Sequence, residues 1–225
     1  MKKILIVTAS ILIVLTSCVL INPPEIEVEG LTILGRDIFL KVKGSGIVSW
    51  DLNNDGVWDL KNVPAEFSIP FFCSETGSKK IIALVKDGQK TWRISKTINV
   101  VEAESSVLSL KGYATREDLV SVELVGTNFS VMGMDISIDY DVSSLEFVRV
   151  DNLSSGVLMP VVDGKRFTIA FLDQNLHVEE PTSILRLTFS VRKKGCFVVN
   201  ISGTLRNSLN EDVEFLNFGT RIVKY

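Results

Sequence analysis

The stretch Met134-Asp135-Ile136-Ser137-Ile138-Asp139-Tyr140 sets an apolar side chain at every second position and a polar one between. Successive side chains of an extended chain point to opposite faces, so this spacing describes a strand with one face in a core and one in water. A helix would need its apolar residues three and four apart. The two-residue period recurs toward the C-terminus in Phe167, Ile169 and Phe171, in Leu185, Leu187, Phe189 and Val191, and in Phe197, Val199 and Ile201. Toward the N-terminus it appears in Val120, Val122 and Leu124, in Phe67, Ile69 and Phe71, and in Ile38, Leu40 and Val42. Pro70 marks an edge strand or a break. The run from Lys80 to Val85 is continuously apolar after its lysine, as a strand buried on both faces reads. Asp87-Gly88 then turns a hairpin into Trp92, Ile94, Ile98 and Val100. Beyond the apolar N-terminal segment no long stretch carries a helical period, and the expected fold class is all-β.

Glu102-Ala103-Glu104-Ser105-Ser106 is small, polar and poor in strand formers, which places a domain boundary there. On each side, alternating strands can bury one face against an opposing sheet at about 25 cal/mol per Å² of apolar surface. Two tandem β-sandwiches, over residues 25–102 and 104–225, are the economical arrangement.

The N-terminus reads differently. Lys2 and Lys3 precede an apolar run from Ile4 to Leu15, and Leu15-Thr16-Ser17-Cys18 closes it. This resembles the lipobox of bacterial lipoproteins. The resemblance implies a signal peptide over residues 1–17, cleavage before Cys18, and a triacylated Cys18 that opens a spacer over residues 18–24. Asn22-Pro23-Pro24 makes that spacer stiff. Two or more acyl chains hold a protein durably, at about 0.8 kcal/mol per buried methylene. The competing reading is an uncleaved transmembrane segment, because Val19-Leu20-Ile21 extends the apolar run toward the roughly 20 residues that span a bilayer. In both readings the lysines stay on the cytoplasmic side and the chain from Asn22 onward lies outside. Val19 stands where an aspartate can mark inner-membrane retention, so the outer membrane remains open to it.

Removing Lys2 and Lys3 leaves 22 basic against 27 acidic residues, a formal charge of −5. A mildly acidic surface without a basic stripe argues against a nucleic-acid partner. Apart from Cys18 the cysteines are Cys73 and Cys196, one in each expected domain. They read as separate buried thiols, with a bridge requiring Cα atoms within about 4.4–6.8 Å.

Two further resemblances refine the sandwiches. Val48-Ser49-Trp50-Asp51-Leu52-Asn53-Asn54-Asp55-Gly56-Val57-Trp58-Asp59, with Phe67, Gly77 and Val85-Lys86-Asp87-Gly88, resembles the signature of polycystic-kidney-disease-type repeats. That implies an immunoglobulin-like first domain of the spacer or adhesion kind. The tract from Met134 to Asp141 with Leu145-Glu146-Phe147-Val148, followed by residues 167–173 and 184–191, is similar to the cohesin family. That implies a jelly-roll sandwich akin to certain carbohydrate-binding modules, of the kind that receives dockerin modules in cellulosome scaffolds. No dockerin lies in this chain, and a shared fold does not transfer a partner.

Asp51, Asn53, Asp55 and Asp59 stand at positions one, three, five and nine of a calcium-loop spacing, with Gly56 at the bend and the Val57 carbonyl at seven. Calcium is therefore the candidate cofactor. Position twelve is Asn62 rather than a bidentate carboxylate, and the competing reading is a plain hairpin turn with solvated carboxylates. Trp50, Trp58 and Trp92 are either core packing or a sugar-stacking platform, and strand position favours packing. His177, the sole histidine, lies in the polar stretch 173–181 and reads as a loop residue without a nucleophile elbow beside it. Asp173, Glu179 and Glu180 would serve glycoside cleavage only if two carboxyls faced one bond in a cleft. The expectation is a non-enzymatic, surface-anchored lipoprotein. Its second domain would present Asp135, Ser137, Asp139, Thr168 and Ala170, the outward alternates of two strands, to a protein partner. A polysaccharide-binding accessory role in carbohydrate degradation or uptake is the alternative.

Overall fold

The computed structural model describes residues 23–116, 118–159, 165–171 and 175–224, and every regular element among them is a strand. The leader, Cys18 and Asp173 lie outside the described residues. The N-terminal part contains β1 (Glu25–Glu29), β2 (Asp37–Lys43), β3 (Ile47–Asp51), β4 (Leu60–Pro64), β5 (Ile69–Phe72), β6 (Gly77–Asp87) and β7 (Lys90–Val100). One sheet runs β1-β2-β5 and the other β4-β3-β6-β7, an immunoglobulin-type arrangement. Ile38 and Leu40 of β2 meet Val48 and Trp50 of β3 and Ile81, Ala83 and Val85 of β6 in one core. Pro70 pairs with Phe39 on β5, the edge of its sheet, where a missing N–H interrupts no further ladder.

The C-terminal part contains β8 (Val107–Arg116), β9 (Leu119–Thr127), β10 (Phe129–Val131), β11 (Gly133–Tyr140), β12 (Leu145–Asn152), β13 (Val157–Leu158), β14 (Arg166–Ala170), β15 (Leu176–Val178), β16 (Thr182–Val191), β17 (Gly195–Arg206), β18 (Leu216–Phe218) and β19 (Thr220–Lys224). Sheets β13-β14-β11-β17-β19 and β12-β16-β9-β8-β18 face each other across a core holding Leu110, Leu124, Ile136, Phe167, Leu187 and Phe189. β18 pairs with β8 in parallel, and β19 then joins β17 in the opposite sheet. The chain end thus ties both layers together.

Two expectations change here. His177 lies in strand rather than loop, opposite Ser130 in the β10–β15 ribbon, because Leu176 and Val178 on either side pack on the core and leave the histidine in solvent. Cys73 and Cys196 are both free, but Cys196 is exposed: it precedes inward-facing Phe197 on β17 and so falls on the outward alternate. Cys73 is buried, and that burial pushes its thiol up to about 11, leaving it unreactive near neutrality.

The sandwiches pack against each other through polar groups. Asp37, 1 % exposed, accepts a bond from the Gly112 N–H at 3.3 Å and another from the Thr220 hydroxyl, both on the second sandwich. The Ser109 hydroxyl donates to the Gly35 carbonyl. Arg221 forks onto Glu29 at 2.7 and 2.8 Å and stacks over the Phe39 ring, while Arg36 lies over Phe218 at 3.7 Å. Val223 of β19 packs against the first core. At Gly35, with φ +83°, a Cβ would fall 2.1 Å from Thr127 Oγ1, so glycine is what lets the two backbones approach.

Candidate binding face

β11 lies in the middle of its sheet, and its register sets the candidate face. Asp135 stands opposite Thr168 on β14 and Thr204 on β17. Ser137 stands opposite Arg166 and Ser202, Asp139 opposite Asn200, and Gly133 opposite Ala170. Met134, Ile136, Ile138, Phe167 and Ile169 take the inward alternates and are buried. All five expected residues therefore share one outward surface. Ser137, Asp139 and Thr168 are exposed, and Asp135 and Ala170 are half-buried.

The sequence reading missed the β17 contribution of Asn200, Ser202 and Thr204, all exposed. Their alternation with Val199 and Ile201 was visible, but strand pairing was not. It also missed Arg166, whose Nε donates to Asp135 Oδ1 at 3.0 Å while its Nη2 donates to Oδ2. The Arg166 guanidinium holds the Asp135 carboxyl below the usual carboxylate range, with Thr168 Oγ1 adding a bond at 3.3 Å. Asp135 is thereby neutralised locally, whereas Asp139 stays open. Val157 and Met159 near one border and Val198 near the other, 48 %, 43 % and 50 % exposed, add apolar surface. The first sandwich packs against the edge strand β19, through Arg221 and Val223, and leaves the central strands of this face uncovered.

The outer side of the opposite sheet is organised around Glu123. Its carboxylate accepts from Tyr113 OH at 2.8 Å, Ser183 Oγ at 2.8 Å, and Arg186 Nε and Nη2 at 3.0 and 2.8 Å. Burial alone would raise its pKa, but the bonds from Arg186, Ser183 and Tyr113 outweigh that and hold it below its ordinary value.

Asp51, Asn53, Asp55 and Asp59 do share one loop, between β3 and β4, where their oxygens serve the main chain. Asp51, 1 % exposed, accepts from the N–H groups of Asp55 and Gly56 at 3.2 and 3.1 Å. Asp55 accepts from the Val57 N–H, and Asp59 from the Leu52 N–H, each at 2.7 Å. Asn53 Nδ2 donates to Asp55 at 2.9 Å. Among the described residues no group of three or more His, Cys, Asp or Glu is placed to hold a metal ion. Asp51→Ala is expected to cost about 3 kcal/mol, since both bonds by which its buried carboxyl holds the loop N–H groups of Asp55 and Gly56 disappear together. Urea unfolding measures the loss. A calcium titration followed by melting temperature then separates the two readings of the loop, because a bound ion raises the midpoint of wild type and not of the variant.

Trp50 is 1 % exposed and Trp92 packs against the same core, so neither belongs to a sugar platform. Glu179 and Glu180 line a groove of about 420 Å³ beside Glu75 and Glu102, and His177 Nε2 lies 3.3 Å from Glu179 Oε1 with both side chains largely in solvent.

The described chain is an all-β protein of two packed sandwiches. Solved structures similar to it are cohesin modules. A non-cellulosomal cohesin from the hyperthermophilic archaeon Archaeoglobus fulgidus is 12 % identical, with a TM-score of 0.43 over 52 % of this chain and 89 % of that one. A type II cohesin domain from the cellulosome of Acetivibrio cellulolyticus is 13 % identical, with a TM-score of 0.42 over 52 % and 95 %. The cohesin module of a family 33 glycoside hydrolase from Clostridium perfringens is 10 % identical, with a TM-score of 0.42 over 54 % and 97 %. No family model matches the sequence, and no curated protein matches it.

Proposed function

We propose that this chain is a non-enzymatic envelope lipoprotein whose second sandwich docks a protein partner on the face of β11, β14 and β17. The observation that carries the reading is the surface itself. Ser137, Asp139, Thr168, Asn200, Ser202 and Thr204 form a broad exposed patch of short polar side chains, and the first sandwich packs beside it rather than on it. Short side chains lose little rotamer freedom when covered, so a partner that approaches closely meets a small entropic cost. Exposed Val157, Met159 and Val198 supply apolar contact around it. The lysine pair, the apolar run and Cys18 support a lipid anchor, and the first sandwich then serves as the spacer that carries the face away from the membrane.

The test uses the full-length chain in its own cells with a photoreactive residue at Ser137 or Ser202, and at Thr97 on β7 as a control. A discrete light-dependent protein adduct is expected from the first two positions and not from the control. Silence at both positions rejects the docking face. In the same cells Cys18→Ala should move the protein out of the membrane fraction, and persistence there rejects the anchor.

A further inference from the structure

On the outer side of the second sandwich's other sheet, strand register aligns Tyr113 of β8, Ser121 of β9, Thr188 of β16 and Arg149 of β12 in one row. The next row is Lys111, Glu123, Arg186 and Asp151. In the first row the two middle residues are short and the two end residues long. The floor is therefore low between Tyr113 and Arg149, and a trough of about 540 Å³ results. That size falls within the roughly 300–1,000 Å³ of small-molecule sites.

Two features separate this trough from an ordinary sheet surface. The Tyr113 phenol and the Arg186 guanidinium are both tethered to Glu123, whose side chain is 9 % exposed, so their positions are set before a ligand arrives. Ser121 and Thr188 on the floor are 2 % and 6 % exposed, and no hydrogen bond within the described residues engages either hydroxyl. Neither is among the buried side-chain atoms left without a partner, so both oxygens open onto the trough, where a ligand can take up their bonds in place of water.

Charge narrows the class of ligand. Arg186 is matched by Glu123 at 2.8 Å and Arg149 by Asp151 at 3.3 Å. The trough thus offers directional donors and acceptors and one aromatic ring, with its charges already balanced. A phosphate or an acidic peptide would find little net attraction there. A neutral polyhydroxylated ring fits: its hydroxyls meet Ser121 and Thr188, and its C–H face packs on Tyr113. We infer that this trough is a binding site for a neutral saccharide. It lies on the sheet opposite the protein-docking face, and its success or failure is independent of that reading.

The test is native affinity electrophoresis of the full-length chain in a polyoxyethylene detergent free of sugar headgroups. The probes are hydroxyethylcellulose, xylan and galactomannan. At least one is expected to retard the wild type, with apparent affinity lowered about tenfold by Tyr113→Ala and about threefold by the isosteric Thr188→Val. Thr97→Ala, on β7 of the first sandwich, should migrate as wild type does. Retardation by none of the three overturns the inference, as does retardation that survives both trough variants or is lost equally in Thr97→Ala. Thr188→Val preserves volume at a floor position, so its effect does not depend on whether Tyr113→Ala loosens the fold. Adduct formation at Ser137 should be unchanged in it.

Discussion

Lowering the pH from about 8 to about 5 is expected to stabilise the folded chain, and Asp37→Asn is expected to abolish most of that gain. Burial between the two sandwiches pushes the Asp37 carboxyl from 3.8 up to about 7, despite bonds from Thr220 and Gly112 and the nearby charges of Lys111 and Arg36. The native state therefore holds a proton that the unfolded chain releases above about pH 4. The Asp37 contribution is fully present below the unfolded pKa and is lost as pH rises through about 7. Within this interval the two states differ by a proton only from about pH 5 to 7, and two pH units correspond to roughly 3 kcal/mol at most. The charged and titratable neighbours facing Asp37 are Arg36, Lys111 and Cys73, and burial pushes the Cys73 thiol up to about 11. Glu29 and Glu123 act in the opposite sense: Arg221 holds Glu29 low and the bonds to Glu123 hold it low, so their stabilisation is lost once pH falls below the ordinary carboxylate range. Stability should thus peak in mild acid. Urea unfolding across this range reads it directly. Asp37→Asn, which mimics the protonated form, should exceed wild type near pH 8, with the margin narrowing toward about pH 5 and closing only near about pH 4. A flat wild-type profile over that interval would show that Asp37 is ionised throughout.

The second large effect is expected at Gly203, in the middle of β17. A Cβ there would lie 2.2 Å from the Asp135 carbonyl oxygen and 3.0 Å from Ile136 Cα, both main-chain atoms of β11. Neither can move without opening the pairing that carries the docking face. Gly203→Val is expected to lose about 3 kcal/mol or more, and to lose the adducts at Ser137 and Ser202 with it. Gly88, at the β6–β7 turn, is the control: a Cβ there meets nothing within 4 Å, and Gly88→Ala carries only the strain of φ +57°, about 1 kcal/mol. A Gly203→Val protein with wild-type melting temperature would mean that β11 and β17 are not in the register described.

The docking face illustrates how far alternation reaches. Asp135, Ser137, Asp139, Thr168 and Ala170 were placed on one surface because each sits between residues that must be inside, and orientation along a strand is a local property. Arg166 has the same local pattern, yet nothing near it in sequence announces that it neutralises Asp135, 31 residues away. The Asn53-to-Asp59 loop shows the converse. Its spacing was legible, but whether oxygens spaced that way turn toward an ion or toward their own N–H groups depends on the path of the backbone. The strand holding His177 is only three residues long, and so short a strand is recognisable only once the core that claims its neighbours is known, whereas Cys196 stands one residue before inward-facing Phe197 and takes the outward alternate of a long strand.

By itself the sequence determined that this is an all-β chain, which side chains point inward, and that Lys2, Lys3 and the apolar run set the N-terminus apart from the rest. Only the tertiary structure decided which outward rows stand side by side, that the first sandwich packs on β19 rather than on β11, and that Asp37 is enclosed by Gly112 and Thr220, 75 and 183 residues away. The division has a physical cause. Alternation follows from the geometry of one strand, whereas neighbours, enclosure and charge pairing follow from register and packing between segments far apart along the chain.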